Sequence, residues 1–124
     1  MAKKILIIDD EELIIKSLKK LIEKNGFEVI VAKNGQDALV VTEDEQFDLI
    51  IADIRMPGMN GVETVNSIYN NLQNNKSKRV PTIFITGFAD EAMHQKAKEL
   101  MPVAYIYKPF DIADFVDRIK KVLE

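Results

Sequence analysis

Three aspartates, one threonine and one lysine stand where short apolar runs give way to polar loops. Asp9 and Asp10 follow Ile5 to Ile8, and Asp53 follows Leu49 to Ala52. Thr86 closes a run that begins at Pro81, and Lys108 follows Val103 to Tyr107. If these runs are parallel strands, their C-terminal ends share one sheet edge, the edge where ligands bind in open parallel sheets. Three carboxylates in one crevice repel, and their pKa values rise unless cations offset the charge. Lys108 brings one positive charge, and a divalent cation would bring the rest. Oxygen donors with no His or Cys nearby select a hard ion. Mg²⁺ fits best, because it takes one or two carboxylates and keeps several waters. Such an ion, an ammonium and a hydroxyl around a carboxylate suit phosphoryl transfer, in which charge on the equatorial oxygens must be stabilised. There is no Gly-rich loop ending in Gly-Lys-Ser/Thr, so a nucleoside triphosphate is not the expected donor and the nucleophile comes from the protein. A carboxylate can attack phosphorus to give an acyl phosphate. Asp53 is the best candidate, since its strand would lie between those bearing Asp10 and Thr86. Each residue also has a bland local reading as a helix cap, an ordinary strand residue or a solvated lysine. Their convergence on one edge is what argues for chemistry.

That convergence depends on the elements. Continuous apolar runs such as Leu49 to Ala52 read as strands buried on both faces. Strands are expected at Ile5–Ile8, Phe27–Ala32, Leu49–Ala52, Pro81–Thr86 and Val103–Tyr107. Between them lie helical spacings: Ile14, Leu18, Leu21 and Ile22; Ala38 and Val41; Val62, Val65, Ile68, Tyr69 and Leu72; Met93, Ala97 and Leu100. A last helix carries Ile112, Phe115, Val116, Ile119 and Leu123 on one face, with Asp111 as its cap. Glu11 and Glu12 suit a helical first turn, where they face the positive end of the dipole. Asn25-Gly26 reads as a helix stop, Asn34-Gly35 as a turn, and Asn70 to Arg79 as a frayed helix end followed by a solvated loop. Five strands alternating with five helices predict a doubly wound α/β fold, a parallel sheet in the order 2-1-3-4-5 with helices on both faces and right-handed crossovers.

The 124 residues fit one domain spanning 1–124. A net charge of −3, from 17 basic and 20 acidic residues, leaves no general basic footprint for nucleic acid or an anionic membrane. With no cysteine, disulfide and thiolate chemistry are excluded. The apolar run after Ala2-Lys3-Lys4 ends after four residues, too short for a signal peptide, and no run approaches the ~18 apolar residues of a membrane span. A cytoplasmic location is expected.

Four segments carry a family likeness: Ile7-Ile8-Asp9-Asp10-Glu11, Asp53-Ile54-Arg55-Met56-Pro57-Gly58-Met59-Asn60-Gly61, Ile85-Thr86-Gly87, and Tyr105-Ile106-Tyr107-Lys108-Pro109-Phe110. In combination and order they resemble the receiver domain of two-component response regulators, from Lys4 through the last helix. The resemblance implies a partner histidine kinase or phosphotransfer protein that donates a phosphoryl group to Asp53. It implies direct Mg²⁺ binding by Asp10, Asp53 and the backbone carbonyl of Arg55, with Asp9 acting through water. Thr86 would bond the phosphoryl group, Lys108 would pair with it, and the Lys108-Pro109 bond would be cis. Tyr105 would be an aromatic switch that rotates inward when Thr86 moves, changing the surface of helix four, strand five and helix five for an output partner. The bland alternative for Tyr105 is a fixed packing residue. Such a domain is a phosphoacceptor regulator, not an enzyme with its own turnover, and no output domain is expected within these residues. At Arg55 family members vary and tune phosphoryl lifetime; its side chain is read as pairing with Asp90 or Glu91 or as simply solvated. His94, the only histidine, reads as a surface residue and not a phosphotransfer group. Two rival classes remain. A flavodoxin-like cofactor domain would need a hydroxyl- and Gly-rich loop where Asp9-Asp10-Glu11-Glu12 stand. A haloacid-dehalogenase-type phosphatase would need a second Asp where Arg55 stands.

Overall fold

The computed structural model describes residues 2–87 and 90–124. Five parallel strands, β1 (Lys4–Ile8), β2 (Glu28–Ala32), β3 (Leu49–Asp53), β4 (Thr82–Thr86) and β5 (Ala104–Tyr107), form one sheet in the order β2-β1-β3-β4-β5. Helices α1 (Glu12–Lys24), α2 (Gly35–Asp44), α3 (Gly61–Asn74), α4 (Glu91–Glu99) and α5 (Ile112–Leu123) alternate with them. The expected fold and strand order are therefore present.

The two-residue period of a strand divides the core. Leu6, Ile8, Ile50, Ala52 and Phe84 meet Ala38, Val62, Val65, Ile68 and Ala97 from α2, α3 and α4. Ile5, Ile7, Leu49, Ile51, Ile83 and Ile85 meet Leu18, Ile22, Phe115, Val116 and Ile119 from α1 and α5. All five residues of β3 and of β4 are buried, as central strands covered on both sides must be. Ile15, absent from the helical face read in the sequence, is buried along α1 as well.

Each strand shifts by one residue at one end: β1 begins a residue early at Lys4, β3 ends a residue late at Asp53, β2 begins after Phe27, β4 after Pro81 and β5 after Val103. Val103 still donates its N–H to the Thr82 carbonyl at 2.9 Å. Asn34-Gly35 is not a free turn. The Asn34 side chain accepts the Asp37 N–H and caps α2, with Gly35 as the first helical residue. The polar Asn70–Asn74 stretch stays helical to the end of α3. The Tyr69 hydroxyl there donates to the Val80 carbonyl at 2.8 Å and lies 2.6 Å from Thr82 Oγ1, and Arg79 sits 4.3 Å over the Tyr69 ring. These contacts tie α3 to the start of β4, and residues 75–79 beyond it form the exposed loop expected.

Two glycines shape the loop after β3. Gly58 has φ +78°, a left-handed conformation that glycine adopts freely. Gly61 allows a close approach, because a Cβ there would lie 2.1 Å from the Asp53 carbonyl oxygen. Asn60 and Glu63 form a reciprocal capping box, which seats α3 directly against the end of β3.

Candidate phosphoacceptor site

The sheet register sets the geometry. Ile8 pairs with Ala52 and Asp53 with Ile85, so Asp9, Asp53 and Thr86 all emerge at one edge. Asp9 and Asp53 are buried, while Asp10 is more exposed at the rim. Ligand oxygens of Asp9, Asp10 and Asp53 lie within 4.8 Å of one another. The carboxylate convergence expected from the strand ends is present.

Lys108 closes the cluster. Its amide donates to the Thr86 carbonyl at 2.7 Å, which extends the β4–β5 ladder past Tyr107, and the bond to Pro109 is cis. From there its ammonium donates to Asp53 Oδ2 at 2.9 Å and lies 3.6 Å from Asp9 Oδ2. It also pairs with Glu11 Oε1 at 2.5 Å. The sequence reading missed this contact and used Glu11 only as a helix-start acid. In the structure α1 begins at Glu12, and Glu11 is an N-cap residue whose side chain makes no capping bond. An acid at a helix start is what the dipole favours anyway, so nothing local signals a partner 97 residues away.

Electrostatics follow from this packing. Burial pushes the Asp9 carboxyl up to about 7; the Glu11 amide opposes that shift, Asp53 adds to it, and Lys108 opposes it. Burial alone would lower the Lys108 pKa, but its pairs with Glu11, Asp53 and Asp9 outweigh that and hold it above the ordinary lysine value. Asp9 Oδ1 accepts the Glu11 amide at 2.9 Å, whereas Asp9 Oδ2 is buried with no hydrogen-bond partner among the described residues. An orphaned buried carboxylate oxygen is costly. The three carboxylates of Asp9, Asp10 and Asp53 match a hard divalent cation, so the residues present fit Mg²⁺.

The other expected residues fall nearby. Arg55 is exposed, and its amide donates to Asp53 Oδ1 at 3.3 Å. Thr86 is buried on the sheet face that Phe84 and Tyr105 share. Arg55, Thr86, Asp90, Met93 and Tyr105 all line a cavity of about 510 Å³ beside the site. Tyr105 is half-buried, stacked on His94 of α4 with centroids 4.2 Å apart, and edge-on to Tyr107. Burial raises its phenol pKa, and Tyr107, Asp90 and Glu91 add to the rise. His94 is thus more than a solvated surface residue: its ring covers Tyr105. It lies on α4, outside the carboxylate cluster.

Among the described residues no helix is long and apolar enough to cross a membrane. The sequence profile of the response regulator receiver domain matches residues 5–120. Among curated proteins, the chain is similar to the transcriptional regulatory protein CrdR of Helicobacter pylori, at 35% identity over 98% of this chain and 55% of that protein. It therefore spans about half of CrdR. It is also similar to sporulation initiation phosphotransferase F of Bacillus subtilis, at 34% identity over 99% of this chain and 95% of that protein. Among solved structures, a CheY-like receiver domain protein from Methanospirillum hungatei superposes with a TM-score of 0.89 at 31% identity, covering 99% of this chain and 94% of that one.

Proposed function

The chain belongs to the response regulator receiver domain family, and from that membership we propose that residues 1–124 act as one phosphorylation switch with Asp53 as phosphoacceptor. Family membership carries the coarse reading, a phosphoacceptor signalling domain and not an enzyme with its own turnover. The observation that carries the finer one is the Lys108–Asp53 pair inside the carboxylate cluster: a buried nucleophile held 2.9 Å from an ammonium.

The donor is a phosphohistidine on a histidine kinase or phosphotransfer protein. An oxygen of Asp53 attacks phosphorus as the phosphorus–nitrogen bond to the donor imidazole breaks, and the electron pair returns to that nitrogen. Lys108 pairs with the transferred oxygens, and Thr86 donates a hydrogen bond to one of them. Asp10, Asp53 and the Arg55 carbonyl would hold Mg²⁺ directly, with Asp9 acting through water; the ion would neutralise charge on the phosphoryl group. The output partner binds the α4–β5–α5 surface, and the domain works in the cytoplasm. A relative named as a phosphotransferase supports phosphoryl traffic through this fold.

Intact mass after incubation with acetyl phosphate and Mg²⁺ tests this. One added phosphoryl group is expected, absent without divalent metal and absent in Asp53→Asn. Equal labelling of Asp53→Asn would refute the assignment.

A further inference from the structure

Lys108 is held by more carboxylates than pairing with one phosphoryl group requires. An ammonium has three donors and no acceptor. One goes to Asp53 and a second to Glu11, while Asp9 Oδ2 lies 3.6 Å away. Glu11 differs from the two aspartates. Its side chain is 54% exposed, against 4% for Asp53 and 11% for Lys108. Its backbone is anchored, because its amide donates to Asp9 Oδ1. Its carboxylate leaves the helix cap unmade and reaches across the mouth of the pocket to Lys108. A fixed backbone thus carries an adjustable anion at the rim.

We propose that Glu11 is a positioning residue that restrains Lys108 at the mouth of the pocket and competes with the phosphoryl group for its ammonium. This rests on Asp53 being the phosphoacceptor. Before transfer, the ammonium is divided between Glu11 and Asp53. Transfer replaces the single charge of the Asp53 carboxylate with the nearly two of a phosphoryl group, a net gain that draws the ammonium inward, and Glu11 pulls against that movement. Charge shared with Glu11 is charge withheld from the phosphoryl oxygens during transfer. Removing the Glu11 charge lets Lys108 pair with them fully.

The test is the rate of phosphorylation by acetyl phosphate at saturating Mg²⁺. Glu11→Gln is expected to accelerate it by about two- to fivefold, the scale of an ion pair with one exposed partner. Glu12→Gln is the control. It removes the same charge one residue along, from a side chain paired with Lys33, and should leave the rate unchanged. Combined with Lys108→Ala, Glu11→Gln should lose its effect, since Glu11 acts through the ammonium; an undiminished acceleration would mean only that a charge at the mouth repels the donor. Should Lys108→Ala be too slow to measure, the ¹⁵N resonance of the Lys108 ammonium decides, and it should shift in Glu11→Gln but not in Glu12→Gln. An unmoved resonance, or an unchanged rate in Glu11→Gln, overturns the proposal. Failure of the unsubstituted chain to label at Asp53 overturns the phosphoacceptor reading instead, so the two failures are distinct.

Discussion

Asp9 has one carboxylate oxygen bonded to the Glu11 amide and one buried without a hydrogen bond from any described residue. Its carboxyl, raised to about 7, keeps a proton in the native state that it loses near pH ~4 when unfolded. Between those two values the native state binds more protons, so stability falls as pH rises through that window, and the loss is complete above the native pKa. Without metal, urea unfolding should therefore give a less stable protein at pH ~8 than at pH ~5, with a contribution from this group on the order of a few kcal/mol. Asp9→Asn should flatten that dependence; an unaltered slope would remove Asp9 as its source. Added Mg²⁺ should recover stability at the higher pH, because it binds only the ionised, folded cluster. At this scale the aspartates, Thr86 and Lys108 were legible because each closes an apolar run. Glu11 was not, because its acidic identity already has a local explanation at the start of α1.

Strand ends aim the site only if the neighbouring helices sit close, and α3 sits closest at Gly61. Gly61→Ala would place a methyl against the Asp53 carbonyl, and backbone would have to move. The expected cost is at least ~1–3 kcal/mol, the range for overpacked positions, with weaker Mg²⁺ binding because the Asp53 backbone shifts. Chemical denaturation and Mg²⁺ titration of the one variant check both; wild-type values for each would show that this approach does not position Asp53. The elements themselves were readable because β3 and β4 are apolar throughout and the helices carry clean apolar faces. Asn34-Gly35 misled because Asn-Gly favours turns and Asn also favours N-caps; only the packed position of α2 decides between them. The anchors of α3, Tyr69 to Val80 and Thr82, were not legible because they cross to another element.

A charge change at Asp53 matters to a partner only if some element has two arrangements for it to bias. Thr86 and Tyr105 both line one cavity of about 510 Å³, and Tyr105 stacks on His94. There is space for the ring to move toward Thr86, and an apolar ring with a polar tip suits both positions. The His94 stack was invisible in the sequence because it joins α4 to β5 through two side chains with no periodic signature. Tyr105→Ala should leave labelling of Asp53 intact while abolishing phosphorylation-dependent amide shifts along α4, β5 and α5; surviving shifts would make Tyr105 a fixed packing residue. The whole account stands on where the phosphoryl group resides. Reductive trapping with borohydride converts an acyl phosphate to an alcohol, and peptide mass spectrometry then locates it. After acetyl phosphate and Mg²⁺, the account predicts that Asp53 alone is converted to homoserine. Conversion at Asp9 or Asp10, or a phosphoryl group retained on His94 with Asp53 untouched, would contradict it.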